Sequence, residues 1–139
     1  MNVLGFDYGR RVIGVAVGNR LTGTARSLSV LRNGDGGPEW SDCDALVKAW
    51  QPDTLVVGLP LTLEGGEQAA SRGARAFAAQ LESRYGVPVA FADERATSQE
   101  AARRFASRRA AGLAKRKHAE AIDAVAAEVI LESWFATHA

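Results

Sequence analysis

Two apolar runs open this chain, Val3-Leu4-Gly5-Phe6 leading into Asp7-Tyr8 and Val12-Ile13-Gly14-Val15-Ala16-Val17. Only Gly9-Arg10-Arg11 joins them. Parallel strands need a crossover of about a dozen residues or more, so a link this short leaves only an antiparallel hairpin. Ala25 to Leu31, with Leu28, Val30 and Leu31 set among polar residues, predicts a third strand continuing the meander. The pattern then changes period. Asn33-Gly34-Asp35-Gly36-Gly37-Pro38 is a loop by composition, and Ala45, Leu46, Ala49 and Trp50 recur at helical spacing between Ser41 and Trp50.

Downstream, strands alternate with helices. Thr54-Leu55-Val56-Val57-Gly58 reads as a central strand before Leu59-Pro60. Gly65-Gly66 precedes a long helix with an apolar stripe at Ala70, Ala74, Phe77, Ala78 and Leu81, ended by Gly86. Val87 to Ala92 forms the next strand. Thr97-Ser98-Gln99-Glu100 is a capping box that opens a helix containing Ala101, Ala102 and Phe105. Ser107 to Lys117, with Gly112 and many bases, reads as a loop or frayed helix end, and a last helix runs from about His118 to Phe135. The expected fold is therefore α/β, with a five-stranded mixed sheet flanked by helices. Its first three strands are antiparallel, and the later ones are added parallel by right-handed crossovers. No repeat or linker divides the chain, so residues 1–139 are expected to form one domain.

Composition narrows the class. An apolar fraction of 47% argues against disorder. No apolar run has membrane-spanning length, and the start lacks the pattern of a signal peptide. Cys43 is the only cysteine, which excludes an internal disulfide or a zinc cluster and fits a reducing cytoplasm. The net charge of +1 gives no global basic field, but eight of the seventeen Lys and Arg lie between Arg95 and Lys117. They are Arg95, Arg103, Arg104, Arg108, Arg109, Lys115, Arg116 and Lys117, opposed there only by Glu100. Such a patch can guide a polyanion or can simply be a solvated helix face.

Three carboxylates sit where apolar elements would otherwise exclude charge. Asp7 ends the first strand, Glu94 follows Val87 to Asp93, and Asp123 lies within Ala121-Ile122-Asp123-Ala124-Val125-Ala126-Ala127. A buried carboxylate is costly unless a cation or donors satisfy it. On a helical wheel Asp123 shares a face with Ala127, Ile130 and Trp134, while Glu128 and Glu132 fall off that face and are expected to be solvated. Asp7 and Glu94, if on adjacent strands, can reach a common point that Asp123 approaches across the sheet. Converging carboxylates repel by roughly 4 kcal/mol per pair at 4 Å and an effective dielectric near 20. A divalent Mg²⁺ or Mn²⁺ removes that penalty, and all-oxygen ligands suit both. Two such ions point to phosphoryl transfer by in-line displacement. His118 and His138 form no triad pattern with Cys43 or any particular serine.

The same segments resemble the YqgF family of RNase H-like nucleases, named for processing the 5′ end of pre-16S rRNA and also described as Holliday-junction-resolvase-like. They are Gly5-Phe6-Asp7-Tyr8-Gly9 with Arg11-Val12 and Gly14-Val15-Ala16, Val56-Val57-Gly58-Leu59-Pro60, Asp93-Glu94-Arg95-Ala96-Thr97-Ser98, and Ile122-Asp123-Ala124-Val125-Ala126-Ala127 with Ile130-Leu131. The resemblance implies an RNase H-like fold, a cytoplasmic location and a nucleic-acid phosphodiester substrate. It also implies Asp7, Glu94 and Asp123 as metal-binding catalytic carboxylates. Thr62 stands where an Asn is common and Ala96 where a bulky apolar residue is usual.

Arg95, Arg108, Arg109, Lys115, Arg116 and Lys117 are the expected nucleic-acid contacts, giving affinity through phosphates without reading sequence. For Arg95 a structural pairing with Asp93 or Glu94 weighs the same as a phosphate contact, and Ser98 is more naturally a capping hydroxyl. Trp40, Trp50 and Trp134 read as packing residues. The expected function is a nuclease using Mg²⁺ or Mn²⁺ on an rRNA precursor, associated with the ribosome, as a monomer or weak homodimer. A junction resolvase and a non-catalytic RNA-binding assembly factor are the alternatives. An actin-like ATPase, whose phosphate hairpin the first strands also resemble, would need a second such domain.

Overall fold

The structure, a computed structural model, describes residues 1–60, 69–93, 103, 106–107 and 118–138, the side chains of 69, 70 and 118–122 excepted. The meander forms as its short links require. Strands β1 (Asn2–Asp7), β2 (Val12–Asn19) and β3 (Thr24–Arg32) are followed by α1 (Trp40–Trp50), β4 (Thr54–Leu59), α2 (Ala69–Tyr85), β5 (Val89–Asp93) and α3 (His118–Thr137). Arg103, Ala106 and Ser107 are also helical. The capping box at 97–100 and most of the basic stretch lie outside the described residues.

The sheet order is β3-β2-β1-β4-β5. β1–β2 and β2–β3 pair antiparallel, whereas β1–β4 and β4–β5 pair parallel. Alternation along the strands then builds two layers of core. Leu4, Phe6, Ile13, Val15, Leu55 and Val57 face α1 and α2, where they meet Cys43, Phe77 and Leu81. Phe77 also meets Phe6 edge-on with ring centroids 5.5 Å apart. On the other face Val3, Ala16, Val56 and Ala92 pack against Ala127, Ile130, Leu131 and Phe135 of α3. β4 is buried along its whole length, as a central strand must be. Gly86 closes α2 with φ +67°, a left-handed conformation that favours glycine.

The face under α3 is paved with small residues. A Cβ on Gly5 would lie 3.0 Å from the Leu131 Cβ, and one on Gly18 would lie 2.6 Å from the Phe135 ring. One on Gly14 would lie 2.0 Å from the Asp123 carbonyl oxygen, closer than any side chain permits. The helix therefore touches the sheet backbone, running opposite to β1 from Asp123 over Gly14 to Leu131 over Gly5.

α3 is buried around more of its circumference than a single wheel face predicts. Ala124 through Glu128, Ile130, Leu131, Trp134 and Phe135 are all buried. The expectation that Glu128 is solvated is thus overturned: it is 3% exposed. Its carboxylate accepts from the Ser27 amide at 2.9 Å and the Ser27 hydroxyl at 3.1 Å. Glu132 is half-buried rather than fully solvated. The cause is β3, which carries an irregularity in its pairing with β2 opposite Val15 and Ala16 and also packs on α3. Trp134, 6% exposed, stacks on His138 at 4.8 Å, in keeping with a packing role. No described helix is long and apolar enough to cross a membrane.

Candidate functional site

Asp7 is the last residue of β1, at the carboxyl end that β1, β4 and β5 share as mutually parallel strands. Leu4 and Phe6 enter the core under α1 and α2, while Val3 enters the core under α3. Alternation therefore turns Asp7 toward α3. In the hairpin Asp7 is paired with Gly14, and Gly14 is where the backbone of Asp123 presses on the sheet. Register and close approach together bring Asp7 and Asp123, 116 positions apart in the sequence, to one corner of one face. Both are half-buried. That is the environment a hard cation exploits: carboxylates partly withdrawn from water, with solvent still able to reach them.

Glu94 follows directly on Asp93, the last residue of β5, and lies outside the described residues. The strand order changes one expectation about it. β1 and β5 are not neighbours, because β4 lies between them. Their axes are therefore about 10 Å apart, two strand spacings. Two apolar strands of the same kind cannot be ordered from local pattern, since order depends on which crossover lands where. Among the described residues no group of three or more His, Cys, Asp or Glu is placed to hold a metal. Only two of the three candidate carboxylates fall within that set.

The surroundings of the corner are built for rigidity. Tyr8 packs with its ring 5.3 Å from Phe77, and its edge would lie 2.8 Å from a Cβ on Gly73 of α2. Ser71, fully buried near the start of α2, donates from its hydroxyl to the carbonyl of Pro60, just after β4. The side-chain amide of Asn33 donates to the Gly9 carbonyl at 2.7 Å, bracing the β1–β2 turn. Sequence reasoning missed Asn33 and Ser71. Neither has a signal beyond being a small polar residue beside a loop.

Of the expected nucleic-acid contacts, Arg95, Arg108, Arg109, Lys115, Arg116 and Lys117 all lie outside the described residues. The strongest described ion pairs are far from Asp7. Arg20 holds Asp53 at 2.9 Å, and Arg84 holds Asp44 at 2.7 Å while the Tyr85 hydroxyl donates to the same Asp44 carboxylate at 2.6 Å.

Comparison with known proteins agrees with this architecture. A family described as "RuvX: Holliday junction resolvase" matches residues 1–137. A protein of Xanthomonas axonopodis pv. citri named "Putative pre-16S rRNA nuclease" is 53% identical over 134 residues, 96% of this chain and 86% of its own length. One of the same name from Xanthomonas campestris pv. campestris strain B100 is 51% identical over 132 residues, 95% of this chain and 85% of its own. Among solved structures, Thermus thermophilus RuvC in complex with Holliday junction substrate superposes with a TM-score of 0.55 at 21% identity, covering 99% of this chain and 94% of that one. The Fowlpox virus resolvase with Holliday junction DNA gives 0.60 at 11% identity, covering 99% and 98%. These two likenesses establish the RNase H-like fold.

Proposed function

The chain belongs to the RuvX family, the YqgF family of the sequence resemblance, and from that premise we propose a divalent-metal-dependent nuclease that trims structured RNA, with the 5′ end of pre-16S rRNA as its substrate. The observation that carries the reading is that Asp7 pairs with Gly14, on whose bare backbone the Asp123 backbone rests, which supports a shared corner for the two carboxylates. Asp7, Glu94 and Asp123 are the proposed catalytic carboxylates and the ligands of two Mg²⁺ or Mn²⁺ ions. Their donor atoms are all hard oxygens, which suits those ions and disfavours softer metals. Held there, such ions would supply an acidified water and positive charge for the leaving oxygen of an in-line displacement. The protein's own part is to hold the carboxylates still. β1 fixes Asp7 through the sheet, α3 fixes Asp123 through its contact with Gly14, and Tyr8 closes the side toward α2.

Arg95, Arg108, Arg109, Lys115, Arg116 and Lys117 are proposed to hold substrate phosphates. Replacing Lys115 and Lys117 by Glu is expected to weaken RNA binding and flatten its dependence on salt, read from affinities across a salt series. We read residues 1–139 as one nuclease domain acting in the cytoplasm, as a monomer or weak homodimer that associates with the ribosome. A second reading, a junction resolvase, is favoured by the family description itself. Side-by-side cleavage of an rRNA leader and a four-way DNA junction separates the two, and exclusive junction cutting overturns the choice of RNA. Asp7→Asn is expected to lower metal-dependent cleavage by at least a hundredfold, about 3 kcal/mol of barrier. Unchanged trimming by a clean preparation of Asp7→Asn would remove the proposed catalytic role of Asp7, whereas RNA binding without metal-dependent cleavage by the wild type would leave a non-catalytic RNA-binding factor as the better description.

A further inference from the structure

Arg10 and Arg11 in the β1–β2 turn and Arg32 at the end of β3 stand at the same end of the sheet as Asp7. All three are exposed, and among the described residues none of them forms an ion pair. Their backbone is nonetheless fixed. The Asn33 side-chain amide donates to the Gly9 carbonyl at 2.7 Å, and the Asn33 backbone N–H donates to the Arg11 carbonyl at 2.8 Å. The Glu39 backbone N–H donates to the Arg32 carbonyl at 3.0 Å. These are exposed cations on a braced backbone, at the same end of the sheet as a half-buried carboxylate, and no ion pair among the described residues uses them.

Strand register decides which way Arg32 projects. It pairs with Val12, and Val30 pairs with Gly14, which pairs in turn with Asp7. Paired residues share a face, as do residues two apart along a strand. Leu31, between Val30 and Arg32, is buried in the opposite core under α1 and α2. Arg32 therefore stands on the face that carries Asp7 and α3. It is two strands across and two residues along from Asp7, roughly 12 Å between Cα positions from standard strand spacings. Because the backbone winds around the axis, each step along one strand is longer than the axial rise of roughly 3.4 Å, so that distance spans no more than about three to four nucleotides.

We propose that Arg32, with Arg10 and Arg11 beside it, grips the phosphate backbone of the nucleic-acid strand being cut, a few nucleotides from the scissile bond. A guanidinium can meet a phosphate with two parallel hydrogen bonds, so a fixed arginine on the catalytic face sets the path of the strand as well as its affinity. The proposal rests on the nuclease reading above and names residues outside the basic stretch from Arg95 to Lys117.

The test uses the full chain with a fluorescent structured RNA and a four-way DNA junction. Binding is measured in Ca²⁺ across a salt series and cleavage in Mg²⁺. Arg32→Ala is expected to weaken binding roughly threefold to tenfold. It should also lower the salt slope by about 0.7–0.9, the share of one phosphate contact. KM should rise with kcat little changed. Arg32→Lys should restore the slope without restoring full affinity, because charge returns but the planar fork does not. Asp7→Asn is the separating control, expected to lose cleavage while keeping the wild-type slope. If the wild type cuts neither substrate the nuclease reading fails, and if Asp7→Asn still cuts the catalytic role of Asp7 fails, whereas the arginine contact is judged by the salt slope and KM. An Arg32→Ala protein with a wild-type unfolding midpoint, slope and KM overturns the proposal. Should that midpoint shift, Arg32→Gln and the Arg10→Ala, Arg11→Ala pair are read by the same two criteria.

Discussion

A carboxylate that leaves water for a helix–sheet interface needs donors waiting for it, and Glu128 finds both in Ser27. The pairing ties α3 to β3 across 101 positions of sequence. Glu128→Ala would strand the part-buried Ser27 amide, and a donor left unmet costs up to about 1–3 kcal/mol when fully withdrawn from water. The expected result is a lower denaturant midpoint at an unchanged slope, with Glu128→Gln losing less because its carbonyl oxygen still accepts. Equal stability of Glu128→Ala and wild type would show the pairing to be energetically idle. The helical pattern of the sequence did not reveal this residue. A wheel assigns one stripe to the sheet, whereas three of the five strands, β1, β2 and β3, embrace α3 along with β4 and β5 at its margin. Asp123 was legible because an Asp amid Ala, Ile and Val stands out by chemistry alone.

At the scale of elements, the placement of α3 depends on what is missing from the strands beneath it. Gly14→Ala would drive a methyl carbon to 2.0 Å from the Asp123 carbonyl oxygen, and backbone on both sides leaves little room to yield. We expect a loss of about 3 kcal/mol, the upper end for overpacking. Cleavage should fall as well, because the helix that carries Asp123 must lift. Measured stability and activity should drop together. A stable but fully active Gly14→Ala protein would mean that Asp123 need not sit where the close packing puts it. Strands β1 to β5 and helices α1 to α3 were readable within a few residues of their described ends, since each is a local run of apolar residues at period two or near 3.6. β4 was even recognisable as central from its unbroken Leu55-Val56-Val57.

Among the described residues, two arginine–aspartate pairs at the perimeter contribute to the response to acid. The Arg84 guanidinium, then the Tyr85 hydroxyl, holds the Asp44 carboxyl at about 2 against an ordinary value of 3.8. Arg20, with the N-terminal ammonium and Thr54 assisting, does the same for Asp53, also to about 2. Because both values are depressed on folding, their contribution is fully present above about pH 4 and disappears as pH falls through about 2. Both groups are largely exposed, so the effect is modest and is screened by salt. Melting temperatures from pH 5 down to 2 should show a shallower acid decline in Asp53→Asn than in wild type. A parallel decline in both would remove Asp53 from the account.

Hairpin, helix stripe and buried carboxylate are all decided by neighbours within a dozen positions, so the amino-acid order alone settled the elements, the mixed sheet and the identity of Asp7 and Asp123 as unusual. It could not order the sheet. β4 inserts between β1 and β5, an order that local pattern left open. Nor could it show Glu128 meeting Ser27, or Arg32 sharing a face with Asp7 through the chain of pairs Asp7–Gly14, Gly14–Val30 and Val12–Arg32. Each of these depends on which segments lie side by side after long loops have closed. Closing a loop costs chain entropy that varies only slowly with its length. Spacing along the chain therefore says little about partners, and packing in three dimensions chooses them.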